Sequence, residues 1–238
     1  MANAILLISG GLDSVVLAYY LKKIKKIKNL KFVFLDYNQK SLKEEFFCVK
    51  KTAKKLNVKL KIIDVKWLGK ISTSLINKKT SKKGLKKIKE KEELIFWYVP
   101  CRNSIFLLIG LAIAESELIS KRKKSDVYMG IKFEGELQFK DTTPKFLKQM
   151  NKTAKLCTQK GNIKFIAPFL KSDKEDLIEL SEKLKINLED TYSCYLGSGF
   201  KKIKNKIIPI HCGLCGGCKS RKKAFRFSNF KDPSFYRD

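Results

Sequence analysis

Runs of apolar residues with the length of β-strands alternate along this chain with segments in which apolar residues recur at helical spacing. Residues 4–9 form the first run, and residues 14–27 follow it with apolar positions on one helix face and lysines on the other. Strands that alternate with helices form parallel sheets covered by helices, so the pattern predicts an α/β fold. The predicted strands are residues 4–9, 31–37, 59–65, 126–131 and 165–169, and the predicted helices are residues 14–27, 41–56, 102–120, 144–158 and 174–186.

Two segments depart from this alternation. Residues 69–93 are polar and have no persistent strand period, so we expect a mobile insertion or surface excursion there. The segment from residue 191 to residue 238 contains four cysteines and little periodicity. The sequence therefore predicts a main domain over residues 1–190 and a C-terminal region over residues 191–238 that packs on it.

The chain is strongly basic, with 238 residues and a formal net charge of +29. The basic residues are 47 lysines and 5 arginines spread along the whole length, whereas base reading and bidentate phosphate capture favour arginine. No homeodomain, RNA-recognition or zinc-finger pattern is present in the sequence. A lysine-rich solvated surface is the favoured interpretation, and weak, salt-sensitive RNA association stays open as an alternative.

The apolar segments predict a cytoplasmic protein. No positively charged segment precedes the first apolar run, which ends at two glycines, so a signal peptide is not expected. The run at residues 107–114 is far shorter than the roughly 20 residues that cross a bilayer, so no membrane partner is expected either. Seven cysteines in a cytosolic chain stay largely reduced, which directs attention to metal binding or thiol chemistry.

The first strand runs into a turn of small and polar residues, Ser-Gly-Gly-Leu-Asp-Ser, before the first helix. Glycines let such a backbone turn tightly and present N–H groups, and a helix N-terminus adds partial positive charge, so the turn is a phosphate cradle. Its Asp13 can cap the helix or position a Mg²⁺ bound to phosphates. The turn lacks the lysine of a Walker A loop and does not fit Gly-x-Gly-x-x-Gly. It resembles the pyrophosphate loop of N-type ATP pyrophosphatases. The candidate nucleotide-binding residues are Ile8, Ser9, Gly10, Gly11, Leu12, Asp13, Ser14 and Asp36.

Four cysteines of the C-terminal region have the spacing of a metal site. Two overlapping Cys-x-x-Cys steps bring three thiolates together at a glycine-rich turn, and a fourth comes from an upstream cysteine. Four protein thiolates suit a tetrahedral zinc with no open position, which predicts a structural role. An iron–sulfur cluster stays open as an alternative, and a redox dithiol is less favoured. The predicted ligands are Cys194, Cys212, Cys215 and Cys218.

The remaining candidates for metal or thiol chemistry are few. His211, the single histidine, abuts the cysteine cluster and is expected to be its neighbour rather than a ligand. Cys48 and Cys157 lie within helical patterns and are expected to be ordinary buried thiols.

Taken together, five stretches resemble one family, the 7-cyano-7-deazaguanine synthases (QueC). They are "SGGLDS" (9–14), "DYNQK" (36–40), "YVPCRNSIFL" (98–107), "YSCYLG" (192–197) and "CGLCGGCKSRKKAF" (212–225). The resemblance implies a Rossmann-like adenine nucleotide α-hydrolase fold, in which a PP-loop ATP-binding domain carries a zinc-binding region, and a homodimer with one structural zinc per chain. The implied reaction uses ATP and Mg²⁺ to convert 7-carboxy-7-deazaguanine and ammonia into a nitrile through an acyl-adenylate and an amide.

The same resemblance implies roles for residues of the site. Arg102 pairs with the substrate carboxylate or with a phosphate, the alternative being that it only caps the helix it begins. The expected catalytic residues are Asp13, Ser14 and Arg102. The expected substrate-binding residues are Tyr98, Arg102, Asn103, Lys132 and Asp141.

One stretch departs from the family pattern. In residues 132–146, Lys132 and Gly135 stand where the family has Asn and Asp, and the lost carboxylate is a natural partner for the N–H edge of a guanine-like base. Lys40 and Ser41 stand where a histidine is expected. Three alternatives therefore stay open. A QueC-like ligase would form an amide or a conjugate with a protein partner in antiviral defence. A tRNA-modifying PP-loop enzyme would use Cys101. A zinc-stabilised binding module would be inert toward ATP.

Overall fold

A five-stranded parallel sheet forms the centre of the molecule, in a computed structural model that describes residues 3–80, 84, 88, 90–133 and 139–237. The chain lays down three strands in one direction from the centre and then returns to add two on the other side, which gives the order β3-β2-β1-β4-β5. The α/β prediction is confirmed, and the order changes direction between β1 and β4. Ligands of open α/β sheets bind at such a switch point, beyond the carboxyl ends of the strands. The strands are β1 (Asn3–Leu7), β2 (Asn29–Asp36), β3 (Lys59–Asp64), β4 (Ser125–Met129) and β5 (Phe165–Ile166).

Helices cover both faces of this sheet because its central strands are apolar on both sides. Leu6 and Phe32 contribute to the core on one face, while Ile5 and Val33 contribute to the core on the other. α1 continues into a π-helical turn at Tyr20–Ile24. The α-helices are α1 (Leu12–Tyr19), α2 (Leu42–Leu56), α3 (Lys66–Ile71), α4 (Glu90–Trp97), α5 (Arg102–Lys121), α6 (Pro144–Cys157), α7 (Lys174–Lys183) and α8 (Gly216–Ser228).

Among the described residues, the stretch Leu94–Lys121 is long and apolar enough to cross a membrane by length and composition alone. The helix is interrupted between Trp97 and Arg102, where Cys101 has a left-handed φ of 56°. One face of α5 packs on the sheet so closely that a Cβ added at Gly110 would lie 2.7 Å from Val127 Cγ1. This face of α5, which includes Leu107 and Leu111, is thus part of the core, whereas Leu108 and Ile119 are exposed.

The prediction of a mobile or surface segment over residues 69–93 is wrong for its first part. Ser72, Ser74 and Ile76 are buried. Their polar groups are satisfied locally, since Ser72 Oγ accepts from Ser74 N at 3.1 Å and Ser74 Oγ donates to Phe96 O at 3.1 Å. Polar residues can be buried when each hydrogen-bonding group finds a partner, and a periodicity analysis does not detect this. Residues 81–83, 85–87 and 89 lie outside the described residues.

The C-terminal region contains more regular structure than its sequence pattern predicts. The strands β6 (Phe200–Ile203) and β7 (Lys206–His211) form an antiparallel hairpin, and β8 (Phe235–Tyr236) pairs with β7. Lysines occupy many of the hairpin positions, which hides the strand period. This region borders the main sheet through helix α8, which packs on α7.

A fully buried arginine joins the C-terminal region to the segment before it. Arg221 of α8 donates to Thr191 Oγ1 at 2.8 Å, to Leu188 O at 3.2 Å and to Asp232 Oδ1 at 3.2 Å. The planar guanidinium holds these partners in one geometry, which fixes where the chain passes at residue 192. Tyr192 N in turn donates to Gly10 O at 2.9 Å, so the C-terminal region is tied directly to the turn after β1.

Candidate functional site

The turn after β1 is held in shape by its own hydroxyl groups. Ser14 Oγ accepts from Ser9 N at 3.3 Å and donates to Gly11 O at 3.0 Å, and Ser9 Oγ accepts from Gly11 N at 3.3 Å. In the described chain no side chain caps the first turn of α1, whose N-cap is Gly11. The N–H groups at this helix start are therefore available to an anion, as the sequence predicts for a phosphate cradle.

Gly10 gives the clearest stability test of this turn. Its φ is +80°, and a Cβ there would lie 2.5 Å from Glu45 O of α2. Gly10→Ala should lower the free energy of unfolding by about 1–3 kcal/mol from backbone strain, and further because α2 must move. Urea denaturation measures the loss, and the control is Gly199→Ala, which has φ +82° and nothing within 4 Å of the added Cβ. Equal losses in the two variants would contradict a close contact between the turn and α2.

Asp13 carries an unsatisfied carboxylate oxygen beside this turn. Its Oδ1 is buried and has no hydrogen-bond partner among the described residues, and the residue lines the main cavity. A buried unpaired acceptor is costly and usually marks a bound ion or a functional group. Carboxylate oxygens are ligands of Mg²⁺, so the position fits the metal expected beside the phosphates of a nucleotide.

A cavity of about 820 Å³ opens beyond the carboxyl ends of β1, β2 and β4. This volume lies in the range of small-molecule sites, and the cavity lies at the switch point of the sheet. The turn after β1 forms one wall, and α2 and the start of α5 form another. The residues predicted from sequence that line it are Ile8, Ser9, Gly11, Leu12, Asp13, Ser14, Arg102, Asn103 and Lys132.

The other predicted site residues lie behind or beside the cavity. Gly10 faces α2. Asp36 is paired with Lys66, 3.3 Å away, and accepts from Asn38 N at 3.0 Å. Neither Gly10 nor Asp36 is among the described residues that line the cavity.

Tyr98 and Asp141 support the cavity from outside. The Tyr98 ring stacks on Phe139 with centroids 6.0 Å apart, and its hydroxyl accepts from Cys101 N. Asn103 Nδ2 donates to Asp141 O at 3.1 Å. Burial raises the pKa of the Asp141 carboxyl, and Arg102 opposes that rise. Tyr98 and Asp141 therefore position neighbouring residues and are not among the described residues that line the cavity.

A polar cluster on α2 and the preceding loop contributes a wall that the sequence analysis did not single out. Ser41 Oγ donates to Glu45 Oε1 at 2.6 Å, and Gln39 Nε2 donates to Glu45 Oε2 at 3.0 Å. Burial raises the pKa of Glu45, while these two hydrogen bonds and the Arg102 charge oppose the rise. Burial and Glu45 raise the pKa of Tyr37 to about 12. The motif "DYNQK" contained part of this signal, but Glu45 lies beyond it on a helix.

Lysines from the C-terminal half add positive charge to the same cavity. Lys174 begins α7 and its Nζ donates to Ser220 Oγ of α8 at 2.7 Å, and Lys219 and Lys223 line the cavity from α8. Positive side chains around a phosphate-binding turn favour a polyanionic ligand. The sequence analysis treated the lysines of this segment as part of a generally basic surface.

The four predicted metal ligands come together. Their sulfurs all lie within 4.8 Å of one another, and two pairs are 3.9 Å apart. A disulfide has sulfurs about 2.05 Å apart, whereas a tetrahedral site with metal–sulfur bonds of about 2.3 Å has sulfurs about 3.8 Å apart. The cluster that could hold a metal ion consists of Cys194, Cys212, Cys215 and Cys218.

Backbone N–H groups surround these sulfurs. Tyr195 N donates to Cys215 Sγ at 3.4 Å, Leu196 N donates to Cys194 Sγ at 3.5 Å, and Leu214 N donates to Cys212 Sγ at 3.4 Å. Such donors stabilise thiolate charge and orient ligands around a metal. The donor set thus fits a metal ion with four thiolate ligands.

The remaining histidine and cysteines have separate positions. His211 is outside the ligand set and accepts from Ser193 N through Nε2 at 3.1 Å, and burial and Arg221 lower its pKa to about 4. Cys48 is buried as predicted. The prediction that Cys157 is buried is wrong, because the last turn of α6 is exposed there. Cys101 is exposed and is not among the described residues that line the cavity.

Sequence comparisons with known proteins agree on one family. The family model described as "Queuosine biosynthesis protein QueC" matches residues 3–229. Proteins described as 7-cyano-7-deazaguanine synthase are similar over their whole length. The one from Campylobacter fetus is 31% identical, with 100% of this chain and 98% of the relative covered, and the one from Methanobrevibacter smithii is 31% identical, with 99% and 98% covered. Among solved structures, NMN synthetase from Francisella tularensis has a TM-score of 0.46 and 10% identity over 97% of this chain and 78% of that chain.

Proposed function

The chain belongs to the queuosine biosynthesis protein QueC family, and from this we propose that it is a 7-cyano-7-deazaguanine synthase. It converts 7-carboxy-7-deazaguanine and ammonia into the nitrile at the expense of ATP. The observation that carries the proposal is the cavity of about 820 Å³ in which a phosphate-binding turn faces Arg102 and a polar wall. An enzyme that activates a carboxylate with ATP needs these elements in one cavity.

The turn after β1 performs the first task, which is to hold the leaving pyrophosphate. The substrate carboxylate attacks the α-phosphorus of ATP, the bond to the pyrophosphate oxygen breaks, and an acyl-adenylate forms. N–H groups at the start of α1 and the Ser9 and Ser14 hydroxyls take up the charge of the leaving group. Lys174 and Lys223 lie in the same cavity and favour the phosphates electrostatically. A Mg²⁺ ion held by Asp13 would supply further charge neutralisation at the phosphates.

The later steps need nitrogen and a second activation. Ammonia attacks the acyl carbon, AMP leaves, and an amide results. A second ATP activates the amide oxygen in the same way, and loss of that oxygen with AMP leaves the nitrile. Arg102 and Asn103 orient the carboxyl carbon for both activations, since both residues line the cavity near the turn.

The C-terminal region has a structural part in this proposal. Cys194, Cys212, Cys215 and Cys218 would hold a zinc ion with no open position. The region packs on the main domain of residues 1–190 and fixes the chain at Tyr192, whose N–H contacts the turn after β1. We further propose that the protein is a homodimer and acts in the cytoplasm.

The decisive experiment measures pyrophosphate and AMP release by zinc-replete protein with ATP, Mg²⁺ and 7-carboxy-7-deazaguanine. The reaction is run with and without ammonium, and the nucleobase is followed by mass spectrometry. The proposal expects ammonium-dependent nitrile and two pyrophosphates for each nitrile. A product that stops at the amide would contradict the synthase assignment and favour a ligase. The absence of pyrophosphate release with this base would overturn it.

A further inference from the structure

Glu45 is a carboxylate in the wall of the ligand cavity with unused acceptor capacity. It lies in the first turn of α2 and lines the cavity. Among the described residues, Ser41 Oγ donates to one of its oxygens and Gln39 Nε2 donates to the other. A carboxylate offers about four acceptor positions, so the group can accept further N–H donors from a ligand.

The protein holds this carboxylate in one orientation. The Ser41 and Gln39 donors fix the two oxygens from the protein side, and Arg102 provides a positive charge close to them. Burial strengthens any hydrogen bond that a ligand gives to such a group, because water competes poorly there. Glu45 is half-buried and forms no ion pair within the described part of the chain, so this oriented carboxylate in the cavity wall points to recognition.

Aromatic side chains line the same cavity as this carboxylate and suit a flat ligand. Tyr37 packs against Phe106 at 5.4 Å between centroids, and Trp97 packs against Tyr195 at 5.3 Å. All four residues line the cavity. Arg102 lines the same cavity as Tyr37 and Tyr195. Such aromatic side chains give the cavity apolar faces against which a planar heterocycle can stack.

We infer that Glu45 recognises the N–H edge of the deazaguanine base, accepting from its ring N–H and its exocyclic amine. This inference rests on the proposed function. The carbonyl and carboxylate groups of the base lie next to this N–H edge and pair with Arg102. Glu45 thereby supplies from α2 the carboxylate that is absent at Gly135, where the family pattern places one. The site selects guanine-type bases over hypoxanthine-type bases, which lack the exocyclic amine.

The test compares two ligands and measures their dissociation constants by calorimetry. The ligands are 7-carboxy-7-deazaguanine and its analogue without the exocyclic amine. Wild-type protein should bind the full base at least about tenfold more tightly, since a hydrogen bond from the amine to a charged acceptor is lost in the analogue. In Glu45→Gln that ratio should fall to within about threefold. A ratio unchanged from wild type would overturn the inference.

Two controls make the result specific. Glu117→Gln removes a carboxylate that pairs with Lys31 away from the cavity, and should leave the ratio at its wild-type value. Glu45→Asp keeps the charge, so it should retain more of the preference than Glu45→Gln. Equal loss in both variants, with unchanged urea midpoints, would contradict direct recognition.

A separate fluorescence measurement reports on the aromatic side of the cavity. Trp67→Phe leaves Trp97 as the single tryptophan, and its emission should change when the full base binds. Failure of wild-type protein to bind either base would overturn the proposed function itself.

Discussion

Replacing Asp13 by Asn is expected to lower the rate of pyrophosphate release by about 10²–10³-fold, the range seen when one stabilising group is removed from a developing charge. The carboxylate lies beside the phosphate-binding turn, and its Oδ1 is buried without a partner among the described residues. The Asn amide has the same shape but no negative charge, so it cannot neutralise a cation bound there. The measurement is the steady-state rate with saturating ATP and base over a range of Mg²⁺ concentrations.

The stability of Asp13→Asn separates a role in catalysis from a role in folding. An unpaired buried carboxylate oxygen destabilises the native state, so the urea midpoint of the variant should equal or exceed that of wild type. Asp64→Asn is the matched control, because Asp64 is an exposed carboxylate whose partner is Lys66. It should leave the rate unchanged. A variant at Asp13 that loses stability and activity together would contradict the assignment of this carboxylate to the ligand.

Replacing Cys215 by Ala is expected to abolish metal binding and lower the thermal midpoint by about 10 °C or more, since the binding energy of a structural metal is folding energy. Cys215 is fully buried, and its sulfur lies 3.9 Å from that of Cys194. The three remaining cysteines, without a metal, must either bury negative charge or take up protons, and both destabilise the folded state. Metal content by elemental analysis and thermal unfolding followed by circular dichroism give the two readouts.

The control for this cluster is Cys157→Ala, which removes an exposed thiol and should change neither readout. A strong chelator should lower the midpoint of wild-type protein and leave that of Cys215→Ala unaffected. Wild-type protein should contain one zinc per chain and be colourless. Stoichiometric iron with visible absorption would indicate an iron–sulfur cluster instead of a zinc ion. A metal-free protein with an unchanged thermal midpoint would contradict a metal centre.

The turn after β1 and most of the cysteine cluster are local features, which is why the sequence indicates them. Gly10 must have a positive φ, and its neighbours Ser9 and Ser14 make their hydrogen bonds within the same turn. Cys212, Cys215 and Cys218 meet through the same kind of short spacing. Residues this close along the chain have few alternative arrangements, so residue type and spacing decide the outcome.

The wall of the ligand cavity depends on contacts between distant parts of the chain. Glu45 and Arg102 line one cavity because β2 and α2 lie on one side of β1 while α5 leads into β4 on the other. A periodic pattern reports which helix face is buried, but it does not report what that face meets. Asp36 shows that a motif residue need not line the cavity. It belongs to a family motif, yet its carboxylate forms an ion pair with Lys66.

The sequence by itself determined the α/β alternation, the tight turn after β1 and the clustering of the cysteines, because each follows from local backbone preference and spacing. Only the tertiary structure decided that polar residues 72–76 are buried, that lysines of α8 reach the cavity, and that Glu45 stands in its wall. These features depend on strand order and on hydrogen bonds between segments far apart in the chain. Such pairings form only when the whole sheet brings the segments together, and no single stretch of sequence records them.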